Sequence, residues 1–265
     1  MLIKIKEYFR YVYEIRYFWA YLARCDLLAR NRRSKLGMLW IIMSPLMLTV
    51  IMAVVLGTAF RIPIIEYAPY IFVGMVIWEL IVSSVVSGGG SFVSATPYMK
   101  QFNHRVTIYT LKTALVNTVN FLIGCIGVFL WISVTTPANL FIGFLTLPMT
   151  TFLFFLMSWA LTTIASFVNV KYRDYQQMMS LFMQALWYIS PVFFQESLFQ
   201  SNKLLLLLFR LNPITHILYL LRKPLLNGRL PSVVDYLFSI GFILFLGMLA
   251  IIINKKYEKK VIFYL

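Results

Sequence analysis

Nine Asp or Glu and two His are the carboxylates and imidazoles available for acid–base chemistry in this chain of 265 residues. General acid–base work needs paired carboxylates or a His/Asp set within hydrogen-bond reach of one reacting proton. Here the acids are scattered, and His104 and His216 belong to different segments. That scatter argues against a membrane-embedded glycosyl or acyl transferase. One acid, Glu79, falls deep inside an apolar run. An intramembrane acid faces a partner or a water-filled cavity by default. Glu79 is read as facing a cavity beside Trp78, with a structurally satisfied acid as the alternative. One such acid and no visible repeat do not suit an ion-coupled secondary transporter. Cys25 and Cys125 are isolated and give no metal spacing and no disulfide framework. No metal site is expected. Gly88-Gly89-Gly90 invites a phosphate-loop reading, but no Gly-Lys-Ser/Thr follows. A break where a helix leaves the membrane is the better reading.

A second group of polar residues is the charged knot Lys171-Tyr172-Arg173-Asp174, set between two apolar runs. Its neighbour in sequence is the aromatic run Trp187-Tyr188-Ile189-Ser190-Pro191-Val192. Arg173 and Asp174 are able to pair with each other, with lipid phosphate or with helix ends. A third group, Arg210, Asn212, Pro213 and His216, interrupts the apolar run from Leu204 to Leu221. His216 is read as hydrogen-bonded within that segment and not as catalytic.

The elements that hold these residues follow from composition. The chain is 61% hydrophobic and 12% charged, whereas soluble domains run nearer half and a quarter. A helix needs about 20 apolar residues to cross the bilayer, and such runs recur. The expected fold is all-α and membrane-integral, with six transmembrane helices near 39–60, 69–87, 106–134, 144–168, 178–194 and 233–253. Pro213 breaks helix hydrogen bonding and restricts the residue before it. Residues 203–228 are therefore expected as re-entrant half-helices between spans 5 and 6. Such backbone is tolerated only where protein or a water-filled cavity surrounds it. Residues 1–38 form a separate N-terminal region, and residues 39–265 the transmembrane domain. In that region Tyr8, Tyr11, Val12, Ile15, Phe18, Trp19 and Leu22 recur at helical spacing. This suits an amphipathic helix in the membrane interface; a helix packed on a partner is the alternative. No cleavable signal peptide is expected, because residues 1–35 are charged throughout.

The formal net charge is +15. The basic residues gather at the ends of apolar runs, which points to topology and anionic lipid and not to nucleic acid. Six spans place both termini on one side. That side holds 17 Lys/Arg and the other six, with Lys112 inside span 3. Both termini are therefore expected in the cytoplasm.

Several segments together resemble the ABC-2 type transporter permeases. Arg32-Arg33-Ser34-Lys35-Leu36-Gly37-Met38-Leu39-Trp40 with Pro45 resembles the start of their first span. Val168-Asn169-Val170-Lys171-Tyr172-Arg173-Asp174 resembles their signature after span 4, and Trp187 to Val192 the end of span 5. Asn212-Pro213 and Leu225-Leu226-Asn227-Gly228 resemble their re-entrant segment. The order and spacing cover nearly the whole chain. The nearest branch is polysaccharide export, which includes O-antigen, capsule and teichoic-acid permeases; a drug or small-lipid exporter of the same group is the alternative. Two departures are Lys171 and Tyr172, where the family often has two aromatics, and the lack of a proline near His104.

The resemblance implies a bacterial inner-membrane homodimer of six-span subunits that exports a lipid-linked polysaccharide. It implies a separate cytosolic ATPase that binds ATP and Mg, with no cofactor in this chain and no catalysis by it. The cytoplasmic connector 91–106 is the expected contact with that ATPase, through Tyr98, Lys100, Phe102, His104 and Arg105. Arg173 and Asp174 are expected as a cytoplasmic latch beside span 5. Trp78, Glu79, Trp187, Tyr188 and Phe193 are expected along the substrate path, since flat rings pack against the C–H faces of sugars without holding them fast. Asn212 and Pro213 are expected at an outer gate.

Overall fold

The computed structural model describes residues 10–31, 35–101, 104–200 and 202–264. Among them there is no strand. Helix α1 is Arg16–Asn31, α2 Trp40–Phe60, α3 Ile64–Gly89, α4 Ser91–Gln101 and α5 Thr107–Thr135. Then follow α6 Leu140–Lys171, α7 Tyr175–Ile189, α8 Lys203–Leu211, α9 Pro213–Asn227 and α10 Val233–Tyr257. Among the described residues five helices are long and apolar enough to cross a membrane: α2, α3, α5, α6 and α10. The α8–α9 pair, bent by 75°, brings the candidates to six.

Helix α3 is the hub. It packs on α2, α5, α6, α7 and α9 and buries Tyr67, Ile71, Phe72, Val73 and Ile77 completely. A helix apolar all round is a core helix or a lipid-facing one; α3 is the first kind, α2 and α10 the second. The outer side of α2 exposes Met47, Val50, Ile51, Val54 and Val55. Between α3, α5 and α6 a hydroxyl seam replaces apolar contact. Ser84 Oγ lies 2.7 Å from Ser158 Oγ, and Thr163 Oγ1 donates to Thr110 Oγ1 at 3.1 Å. Inside a bilayer small polar residues hold helices together because lipid gives no hydrophobic drive between them.

The run read as span 5, 178–194, forms a shorter helix. Helix α7 has 15 residues, about 22 Å at 1.5 Å per residue, against the ~30 Å of a bilayer core. Pro191 has no N–H to donate, and Ser190 before it is extended (ψ 148°), as pre-proline residues prefer. Residues 191–194 then run without helical hydrogen bonds.

The α8–α9 bend has a local cause. Asn212 is extended (ψ 118°) and its Oδ1 accepts from the Ile214 N–H at 2.9 Å. Asn212 is thus an N-cap, with Pro213 at the first helical position, where a missing N–H is harmless. The far end of α9 closes on Gly228 at φ 60°, a left-handed C-cap. Asn139 Nδ2 donates to the Leu225 and Leu226 carbonyls at 3.1 and 3.0 Å. The uncharged turn between α5 and α6 therefore caps α9.

A second, smaller core sits at the opposite end. Leu22 of α1, Phe92, Ala95 and Met99 of α4, Tyr109 of α5 and Val261 near the C-terminus pack together. The apolar face of the N-terminal helix is turned inward onto this core. A row of tyrosines, Tyr13, Tyr17 and Tyr21, is left exposed, with the Arg16 guanidinium 4.1 and 4.5 Å from the first two rings. Lys112, buried within α5, pairs with Asp26 of α1 at 2.6 Å. Both terminal segments thus meet at one end of the bundle.

Candidate functional site

At the end away from the termini, four consecutive carbonyls are left without helical partners after α7. Each receives a side-chain donor. Arg222 of α9 donates to Pro191 O at 2.9 Å through Nη1 and to Val192 O at 2.5 Å through Nη2. Tyr67 OH donates to Phe193 O at 2.6 Å and Tyr70 OH to Phe194 O at 2.8 Å. Irregular backbone at membrane depth persists only when every polar group is satisfied by protein, and this cradle does so. Arg222 is 2% exposed. It has three carbonyl acceptors, counting Tyr70 O at 3.3 Å, and its guanidinium lies 3.6 Å from the Tyr70 ring. The planar fork of Arg fits such a set where a lysine would not. A β-carbon at Gly74 would collide with Arg222 Nη2, so Gly74 keeps the passage open.

Beside the cradle, Asp235 gathers a buried polar cluster. It accepts from Lys223 Nζ at 2.5 Å and from Ser232 Oγ at 2.6 Å, and lies 3.0 Å from His216 Nδ1. His216 Nε2 lies 2.8 Å from Arg210 O. His216 therefore ties α8, α9 and α10 together, within the re-entrant segment and beyond it. Arg210 pairs with Glu196 at 2.6 Å, and Tyr219 OH donates to the same carboxylate at 3.2 Å.

The expected path residues separate by burial. Trp78 is 6% exposed in the core, and Glu79, next to it in sequence, is exposed. Trp187 is half-buried edge-on against Phe193 at 4.8 Å; Phe193 is buried and Tyr188 exposed. The rings of Trp187, Tyr188 and Phe193 form one cluster, while of the other pair Trp78 is buried and Glu79 exposed. Asn212 and Pro213 stand half-buried at the α8–α9 bend.

At the terminal end the glycines do more than break a helix. Helix α3 runs through Gly88 and Gly89 and yields to α4 at Ser91. A β-carbon at Gly88 would lie 2.7 Å from Thr162 Oγ1, and one at Gly89 2.7 Å from the Tyr175 ring. The close approach lets α6 and α7 reach the last α3 carbonyls. Ser166 Oγ donates to Gly88 O at 2.9 Å, Asn169 Nδ2 to Gly89 O at 3.0 Å and Tyr175 OH to Val85 O at 3.2 Å. The contacts of the charged turn to its neighbours run through Asn169 and Tyr175. Arg173 and Asp174 are exposed, and neither has an ion pair among the described residues.

The connector after α3 is helix α4, with Phe92, Ala95 and Met99 inward. Pro97 leaves the Val93 carbonyl without its helical donor, and Thr96 Oγ1 donates to it at 2.9 Å. Tyr98 and Lys100 are exposed on the outer face. His104 and Arg105 turn to the N-terminal helix. His104 Nδ1 lies 2.7 Å from Tyr11 OH, and the Arg105 guanidinium 5.5 Å from the Tyr11 ring. Phe102 lies outside the described residues.

Residues that sequence reasoning passed over are Arg222, Gly74, Tyr67, Tyr70 and Asn169. The signal for Arg222 was present: a cation amid the apolar residues of α9, counted with loop charges. Among the described residues no group of His, Cys, Asp and Glu is placed to hold a metal ion.

Comparison with known proteins gives a consistent result. Two O-antigen export system permease proteins RfbA from Klebsiella pneumoniae are each 23% identical over 261 residues, covering 97% of this chain and 98% of the relative. One of the same description from Myxococcus xanthus is 22% identical over 233 residues, 84% and 85% of the two chains. Residues 17–226 match the profile of the ABC-2 type transporter, and the chain, a non-catalytic multi-pass membrane permease subunit, belongs to that family.

Proposed function

We propose that this permease is the membrane subunit of an ATP-driven exporter that moves a lipid-linked polysaccharide, O-antigen, across the bacterial inner membrane. The end-to-end similarity to permeases named for O-antigen export carries this reading. Two copies form the pathway. A separate cytosolic ATPase subunit, the partner that membership of this family implies, binds ATP and Mg. Residues 1–38 and the C-terminal tail face the cytoplasm with the α3–α4 and α6–α7 turns. The charge count supports this orientation, and more strongly once Arg222 is removed from the outer loops because it is buried. The exposed face of α4, with Tyr98 and Lys100, docks on the ATPase together with Phe102. His104 and Arg105 couple that contact to the N-terminal helix. Arg173 and Asp174 lie on the same cytoplasmic surface, as a latch beside α7. Trp187, Tyr188 and Phe193 with Trp78 and Glu79 border the path, and Asn212-Pro213 shapes its outer gate.

The test is gene deletion with complementation, read as long-chain lipopolysaccharide on gels, and mild-detergent purification of the tagged protein. Expected are loss of O-antigen from the surface, its retention inside the cell and a stoichiometric ATPase bound to the permease. An unchanged surface polymer, or a dimer that purifies without any ATPase, overturns the proposal. Loss of a capsule or teichoic polymer instead reassigns the cargo.

A further inference from the structure

Helix α7 presents three unlike sides. At about 3.6 residues per turn, Tyr175, Met179, Met183 and Trp187 share one side. That side is inward: Met183 is buried and the other three are half-buried. Met178, Leu181, Phe182, Ala185 and Ile189 make a second side, apolar and exposed. The third side carries Gln176, Gln177, Ser180, Gln184 and Tyr188, all exposed.

An apolar side meets lipid or a second copy at no cost. A polar side inside the membrane turns to protein or to a water-filled cavity. Gln176 and Gln177, in the first turn of α7, stand near the membrane surface. Gln184 stands about 14 Å farther along the helix axis than Tyr175, near the middle of a core about 30 Å thick.

Glu79 of α3 stands at the same depth. Gln176 Nε2 lies 3.5 Å from Val86 O, and a β-carbon at Gly90 would lie 2.8 Å from the same nitrogen. These contacts set the two helices level. They also lay the polar side of α7 along the α3 face that Glu79, Val86 and Gly90 share at helical spacing. From there Glu79 lies about 10 Å and Gln184 about 12 Å toward the far end of the bundle. An exposed carboxylate and an exposed amide therefore stand at one depth on neighbouring helices. Gln176 also lines a cavity of about 780 Å³ that opens at the terminal end, which brings water to the foot of this side.

Neither α3 nor α7 contains a Lys, Arg or His. The polar side thus offers amides, hydroxyls and the nearby carboxylate of Glu79. A glutamine amide both donates and accepts, and so does a sugar hydroxyl. Ser180 Oγ donates to Gln177 O at 2.9 Å and keeps lone pairs for a hydroxyl proton. A hydrogen bond exchanged for one to water is worth little net, so a chain of sugars passes from partner to partner without being held. An apolar cargo would strip these amides of water and return nothing.

We propose that the side of α7 carrying Gln176, Gln177, Ser180, Gln184 and Tyr188 lines a water-filled path along which the hydroxyls of the exported glycan exchange hydrogen bonds, with Gln184 as the mid-membrane contact. The inference rests on the polysaccharide-export reading and adds the residues and the chemistry of the path wall.

The test uses the full-length permease with its ATPase in inverted membrane vesicles, in a Cys25→Ser background. Cys125 is 1% exposed and stays silent. Gln184→Cys reports on the polar side, with Ser180→Cys as the second reporter should the first fail to assemble. Phe182→Cys, on the apolar side, is the control. The probe is a membrane-impermeant cationic methanethiosulfonate, which attacks thiolates and hence thiols that meet water; the reporter should label about tenfold faster than the control or more. Equal labelling of the two sides overturns the path, and a disulfide between two Gln184→Cys copies would assign this side to a second copy. The ligand has its own arm. Ser180→Leu with Gln184→Leu should lower surface long-chain lipopolysaccharide about tenfold, the weight of two lost hydrogen bonds, with permease and bound ATPase unchanged in amount. Gln184→Asn, which keeps an amide, should export nearly as the parent does. Should the double variant fail to accumulate, Gln184→Leu alone is read the same way. Full export by the leucine variants overturns the glycan contact. If gene deletion still removes the surface polymer in that case, the export reading survives alone. If deletion leaves the polymer intact, both fall.

Discussion

Arg222 holds two of the four orphan carbonyls of the α7 break and donates to Tyr70 O as well. Truncating it leaves buried acceptors unpaired, and each such group costs about 1–3 kcal/mol. Arg222→Ala is therefore expected to destabilise the solubilised protein by roughly 3 kcal/mol or more. Arg222→Lys recovers part of this, because one ammonium cannot span the set. Gly74→Ala pushes a methyl group into the same guanidinium. In thermal unfolding monitored by size exclusion, the two alanine variants should be non-additive, the double costing little more than Arg222→Ala alone. Simple additivity would show that Gly74 matters for Val192 and not for Arg222. A second residue-scale case is Lys112, buried against Asp26. Asp26→Asn strands a buried ammonium and should cost about 2 kcal/mol, less than for a fully buried pair because Asp26 is half-exposed. Adding Lys112→Met should restore most of the loss. If the double variant melts no higher than Asp26→Asn, the pair does not pin α1.

At the scale of elements, the long helices were legible because an apolar run of sufficient length has one reading in a membrane. The α7 helix was not, since its last residues are as apolar as its first; only the Ser190-Pro191 pair marks where hydrogen bonding stops. Helix α4 was hidden by its length and by Pro97, whose missing N–H is offset by Thr96 at the Val93 carbonyl. The triple glycine was read as a break, and α3 does end there; Gly88 and Gly89 also admit Thr162 and Tyr175. Composition alone does not separate a glycine that bends from one that admits a neighbour. Substitution separates them. Gly88→Ala should destabilise by about 1–3 kcal/mol, the usual range for overpacking. Gly241→Ala, where a β-carbon meets nothing within 4 Å, should stabilise α10 by up to about 1 kcal/mol through helix propensity. Equal effects at the two positions would contradict the close-packing role. For α4, Lys100→Glu changes an exposed side chain. It should leave the melting temperature of the permease within about 2 °C while lowering the ATPase recovered with it. Full recovery of the ATPase would move the docking surface off α4.

For the whole molecule, sidedness follows from what meets at each end. Asp26 and Tyr264 border one cavity, and Leu22 and Val261 share one small core, so the two terminal segments cannot lie on opposite faces of the membrane. The α5–α6 turn caps α9 through Asn139 at the other end. Such pairings join segments far apart in sequence and leave no periodic trace, which is why the cradle was invisible before the fold. Orientation itself rests on charge. The terminal end carries most of the Lys and Arg, whereas at the other end Arg222 is buried, and Lys223 and Arg210 are paired with Asp235 and Glu196. Positive charge on the short loops stays in the cytoplasm. Ala138→Cys, exposed in the α5–α6 turn, should therefore react with a membrane-impermeant maleimide in cells whose outer membrane has been made permeable. Tyr172→Cys, exposed in the α6–α7 turn, should react only in inside-out vesicles. The reverse pattern would turn the molecule over and place α4 outside the cell, where no cytosolic ATPase could dock on it. Reaction of both sites from the same side would deny that α6 crosses the membrane at all.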